Sequence, residues 1–162
     1  RGRLSGVNDV TEMRKPVLLA MRALGFVWAS PNTLLGLLLG GIGMLFGAKP
    51  RFNRREFAVV FHFWPWGPGG AITFGNAILH SGDTLDSPCI TYEHRAGRRV
   101  HPYIVLGDHE RAHVFQYMVL GPLFLPAYLL CGGVSVRNPF ERAADRYALT
   151  GKGWWPWPAD ER

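Results

Sequence analysis

The chain is 162 residues long, 48% hydrophobic and 19% charged, with 20 glycines and a formal charge of +6 carried by 15 Arg and 3 Lys against 12 acidic residues. That length makes one domain the default and suffices to bury a core, while the composition is more apolar and glycine-rich than that of an ordinary soluble domain. The arginines are spread along the sequence and no nucleic-acid-binding motif accompanies them, which excludes nucleic acid as the expected partner and fits anionic lipid better.

Residues 1–15 read as polar and loosely structured; the chain opens on Arg1 without an initiator methionine, and its natural start is left open. Pro16 to Trp28 predicts a helix that is apolar nearly all round, through Leu18, Leu19, Met21, Leu24, Phe26 and Val27. Ser30-Pro31-Asn32-Thr33 interrupts with a cap-and-start signal. A second helix from Pro31 to Gly47 would be about 25 Å long, short of the roughly 30 Å hydrocarbon core of a bilayer. It is expected to span a thin bilayer, to re-enter, or to pair with the first helix as a hydrophobic hairpin; the competing reading is a buried core helix. Gly36/Gly40 and Gly43/Gly47 are small-xxx-small pairs that permit close helix–helix contact. Arg1, Arg3, Arg14 and Lys15 precede this apolar region, and Lys49, Arg51, Arg54 and Arg55 follow it. Positive charge on both sides leaves the membrane orientation unread. Residues 1–50 are therefore expected to be a hydrophobic, membrane-associated helical segment, and 51–162 an α+β domain, the two making one compact unit.

From Phe57 the pattern turns to strands. Phe57 to Phe63 is aromatic and β-branched, Trp64 to Gly70 is a loop by its prolines and glycines, and Ala71 to His80 reads as a second strand. Ser81 to Pro88 is another turn, and Cys89 to Tyr92 and Tyr103 to Leu106 are short strands around a polar tip. The expectation is a small antiparallel sheet leading into a helix. His62, His80, His94 and His101 read as strand or turn residues rather than ligands, and His101, close in sequence to the helix that follows, has the alternative of a catalytic helper.

That helix carries Asp108-His109-Glu110-Arg111-Ala112-His113, an H-E-x-x-H motif. Four-residue spacing puts His109 and His113 on one helical face about 6 Å apart, a reach at which two imidazoles can share one tetrahedral Zn²⁺. Glu110, one step round, can lean over the metal's open side and take a proton from zinc-bound water. With six His and six Glu in the chain, an accidental match arises about once in a hundred such sequences. Met118 to Gly133 is uncharged, with Pro122 and Pro126 kinking or restarting the helix. This stretch reads either as buried core or as an interfacial segment beside lipid.

Asn138-Pro139 then opens a further helix, capped by Asn138. Glu141 and Asp145 share one of its faces. Glu141 can supply the third ligand, and Asp145 can accept the N–H of a ligand histidine. Each has an alternative: Glu141 reaching back to the helix cap, and Asp145 pairing with Arg142 or Arg146. Tyr117 and Tyr147 are candidate oxyanion donors, or else core tyrosines. Trp154-Trp155-Pro156-Trp157-Pro158 suits a headgroup-level anchor. Cys89 and Cys131 show no metal-type spacing, and their pairing cannot be deduced.

H-E-x-x-H followed by a separate helix bearing E-x-x-x-D resembles the gluzincin class of zinc metallopeptidases. The segments His109–Gln116, Gly121–Pro126 and Asn138–Asp145, with Ser30–Leu37 and Ala71–Asn76, are similar to small bacterial H-E-x-x-H membrane proteins. The resemblance implies one zinc per chain on His109, His113 and Glu141, with Glu110 as general base, and a place at the bacterial cytoplasmic membrane. The expected function is zinc-dependent hydrolysis of a peptide or protein. The alternative is a non-catalytic membrane-associated interaction protein whose zinc is structural or vestigial; a metal-free lipid-surface binder is a third.

Overall fold

The computed structural model describes residues 5–67 and 69–157, with side chains from residue 16 onward. The fold is α+β, as the sequence predicts. Helix α1 runs Ser5–Trp28, so most of the stretch expected to be loosely structured is helical, and Pro16 lies inside the helix. Residues 1–4 and Pro158 fall outside the described residues. At Ala29 the chain bends by 62° into α2, Ser30–Met44, with Pro31 in the first turn where its missing N–H costs nothing. Ser30 makes no side-chain cap. Instead Thr33 Oγ1 bonds back to Ala29 O at 3.1 Å and accepts Asn76 N at 3.0 Å.

Four strands follow: β1 Lys49–Asn53, β2 Ala58–His62, β3 Ala71–Phe74 and β4 Ala77–His80, ordered β1-β2-β4-β3. Two expectations need correction. The stretch Ala71–His80 is a hairpin rather than one strand, turning at Gly75-Asn76. Gly75 holds φ +59°, which suits a two-residue hairpin turn, and a Cβ there would overlap Thr33. The sheet is also mixed: β1–β2 and β3–β4 are antiparallel, but β2 and β4 run parallel. The Trp64–Gly70 loop carries the chain across the sheet to its far edge, and β4 returns into the gap beside β2. Further on, β5 (Pro88–Cys89) pairs with β6 (Ile104–Val105), and Tyr92–Arg95 forms a short helix, α3, taking in the expected strand end at Tyr92 and the start of the polar tip.

The sheet is covered on both faces by alternation along its central strands. Ala58, Val60 and Ile78 pack with Val114 of α4 (Leu106–Leu120). Phe61 and Leu79 point the other way and pack with Ala48, Leu39 and Trp64 on the α2 side. The α2 glycines serve this second contact. A Cβ at Gly36 would stand 2.7 Å from Ala77 Cβ, and one at Gly40 would overlap the Phe61 ring. The glycine stripe thus seats a helix on a sheet, where sequence spacing suggested helix against helix.

After α4 come a 3₁₀ turn (Gly121–Leu123), α5 (Phe124–Leu130) and α6 (Pro139–Thr150). Tyr117, Phe124 and Phe140 pack with Ala29, tying these helices to the α1–α2 elbow. Asn32 donates to Gly121 O at 2.9 Å at the same junction. The run Leu106–Leu130 is long and apolar enough to cross a membrane, a test that the core helix of a soluble protein also passes. The exposed apolar side chains concentrate elsewhere. Leu19, Leu24 and Val27 of α1 and Leu34, Leu38 and Leu45 on or beside α2 are 62–82% exposed.

Candidate metal centre

Helices α4 and α6 meet at the centre of the molecule, and each presents one face to the other. His109 and His113 project from α4, and Glu141 from the first turn of α6. The cap of α6 is made by Asn138 alone, whose side chain accepts Phe140 N at 3.0 Å. Glu141 is therefore free of capping and turns inward. Its Oε2 lies 3.1 Å from His109 Nε2 and 3.4 Å from His113 Nε2, and the two Nε2 atoms are 3.2 Å apart. Bonds of 2.0–2.1 Å to a tetrahedral zinc would separate its ligand atoms by about 3.3 Å. The triangle has the size that such an ion needs, and the three residues form a buried group able to hold a metal.

The hydrogen bonds behind the triangle decide which atoms face into it. His109 Nδ1 lies 3.0 Å from Asp145 Oδ1. His113 Nδ1 lies 2.8 Å from Gln116 Oε1. The Gln116 amide nitrogen donates to Phe140 O and Trp154 O at 3.2 and 2.8 Å, which fixes its carbonyl toward His113. Both histidines must therefore donate through Nδ1, leaving each Nε2 with a bare lone pair. Asp145 is buried rather than paired with Arg142 or Arg146, and its Oδ2 accepts Tyr92 N at 2.7 Å. Tyr128 donates its hydroxyl to Glu141 Oε1.

Two nitrogen lone pairs and a carboxylate oxygen thus converge at contact distance with no donor among them. Such a cluster is unstable unless a cation or a proton sits in it. The titration behaviour agrees. Burial lowers the His109 pKa, but hydrogen bonds to Asp145 and Glu141 outweigh it and raise the value to about 10. His113 is also raised: burial opposes, and the Glu141 charge prevails. Burial would push Glu141 up, yet the two histidines hold it well below the ordinary carboxylate range. Burial first, and then the Glu141 charge, keeps Tyr92 and Tyr128 protonated far above the usual phenol range.

Glu110 is 4% exposed and stands outside the triad, but its charge acts on both histidines. Its Oε2 accepts the Thr73 hydroxyl at 2.7 Å, which ties it to edge strand β3. The other sequence candidates make no hydrogen bond to the triad among the described residues. Tyr117 packs its ring on Phe124 at 4.0 Å between centroids. Tyr147 stacks on Phe115 and takes a long contact from Arg111. His101 pairs with Glu93 at 3.0 Å. Gln116, Tyr128, Tyr92 and Thr73 were not found by sequence reasoning. Only Gln116, three residues after His113 on one helix, had a readable spacing; the others reach the centre from separate segments. Comparison with protein-family models, curated proteins and solved structures gives no match.

Proposed function

We propose that this protein is a zinc-dependent hydrolase acting on peptide bonds, with His109, His113 and Glu141 holding the ion and Glu110 as general base. One observation carries the reading: three lone pairs converge, each fixed by a partner behind it, beside a carboxylate that is not one of them. A zinc ion held by His109, His113 and Glu141 would supply a Lewis acid and lower the pKa of water toward about 7. Glu110, held in place by Thr73, is the residue that would accept a proton from water at the site and return it to the leaving amine. Tyr92, kept protonated, is the candidate donor for the charge that develops on the carbonyl oxygen, since the one Tyr128 proton is already given to Glu141. Strand β3 is an outer strand of the sheet, so an extended substrate can pair along it next to Glu110.

The apolar outer surfaces of α1 and α2 support a place at a membrane surface, with these helices lying in the headgroup layer. The second reading is an ion that only staples α4 to α6, and the 2–7% exposure of the ligands and Glu110 favours it. Metal analysis of gently purified protein is expected to find about one zinc per chain. Glu110→Gln should keep the zinc and lower cleavage of a proteome-derived peptide library by about 10²–10⁴-fold. Zinc at full occupancy with no peptide cut, and no difference between the wild type and Glu110→Gln, would leave the staple.

A further inference from the structure

On its other side α4 forms one wall of a groove of about 690 Å³, a volume in the range of small-molecule sites. Phe115, Met118 and Val119 come from α4, and Met21, Leu24 and Trp28 from α1. Met21 and Leu24 are 63% and 70% exposed, so the wall that α1 provides faces solvent. Such a surface binds something apolar. Its charge is one-sided: among the described residues, Arg22, Arg54 and Arg55 line the groove and no carboxylate does. Arg55 is already held by Asp86 and Asp108 at 3.0 and 2.8 Å, so Arg22 and Arg54 supply the field that an occupant meets.

We infer that this groove binds one anionic phospholipid, an acyl chain lying between α1 and α4 and the phosphate near Arg22 and Arg54. The apolar walls select hydrocarbon, and the two guanidiniums select a negative headgroup. A second copy of the chain fits less well, because each copy carries +6. The groove also continues into the exposed apolar face of α1, the surface already placed in the headgroup layer. The inference rests on that membrane placement and not on the metal chemistry.

Trp28 and Trp154 line the groove, so brominated acyl chains bound there quench their fluorescence. The test titrates the full chain in detergent micelles with dibromo-phosphatidylglycerol, and separately with dibromo-phosphatidylcholine. Saturable quenching is expected to favour phosphatidylglycerol. The double variant Arg22→Gln/Arg54→Gln should raise its half-saturation about thirtyfold, the effect of two basic side chains on an anionic lipid. Met21→Glu, at an exposed position that leaves packing alone, should weaken binding in the same direction. Zinc content measured on each sample stays unchanged, which separates this result from failure of the metal centre. Equal quenching by both lipids, or quenching that survives both variants, overturns the inference. A doubled mass in the same detergent with no quenching assigns the groove to a second copy instead.

Discussion

Gln116 does for His113 what Asp145 does for His109, by a different chemistry. A carboxylate accepts the Nδ1 proton of one histidine, and a neutral amide, anchored through two backbone carbonyls, accepts that of the other. Each bond fixes a ring orientation and a tautomer, so each contributes to how firmly an ion is held. Asp145→Ala and Gln116→Ala should each weaken zinc binding about 10–100-fold in a competition titration against a chromophoric chelator. Arg142→Ala, an exposed neighbour on α6, serves as the control and should leave the affinity unchanged. Equal affinities in all three would mean that the histidines are oriented by packing alone.

Helix α2 shows how glycine can be used for distance rather than for flexibility. At Gly40 a methyl group would enter the Phe61 ring, whereas at Gly41, one position round, nothing stands within 4 Å. Gly40→Ala should therefore destabilise by about 1–3 kcal/mol, the usual cost of overpacking. Gly41→Ala should be neutral or gain up to about 1 kcal/mol from helix propensity. Denaturant midpoints on the two variants check the contrast. The sequence revealed that these glycines mattered but not against what, because small-xxx-small spacing is the same whether the neighbour is a helix or a sheet. His109, His113, Glu141 and Asp145 were readable because helical periodicity puts each pair on a common face, and the motif says which pair faces a metal. The Ala71–His80 hairpin carried a signal of its own, Gly75-Asn76 between two four-residue runs, but runs that short also read as a single strand. The parallel pairing of β2 with β4 was not readable, because it depends on where a loop lands. Tyr128 and Thr73 carry no local signal, and only the folded chain brings them to Glu141 and Glu110.

An ion bound by α4 and α6 links segments about thirty residues apart, so its removal should loosen the whole fold. With zinc about a thousandfold above its dissociation constant, linkage stabilises the folded state by about 4 kcal/mol. In a chain of this size that corresponds to roughly 10 °C. Thermal melts followed by circular dichroism with and without chelator should differ by that amount, and identical melts would mean that the triad holds no metal. The α1–α2 elbow adds a mechanical point. Trp28 lies against Gly121, where a Cβ would collide with its indole, and Asn32 and Thr33 grip Gly121 O and the Gly75-Asn76 turn. The apolar elbow is thus bolted to both the end of α4 and the tip of the strand beside Glu110. It is a foundation rather than an anchor on a tether, and a displacement of that foundation would be felt at the His109, His113 and Glu141 triad.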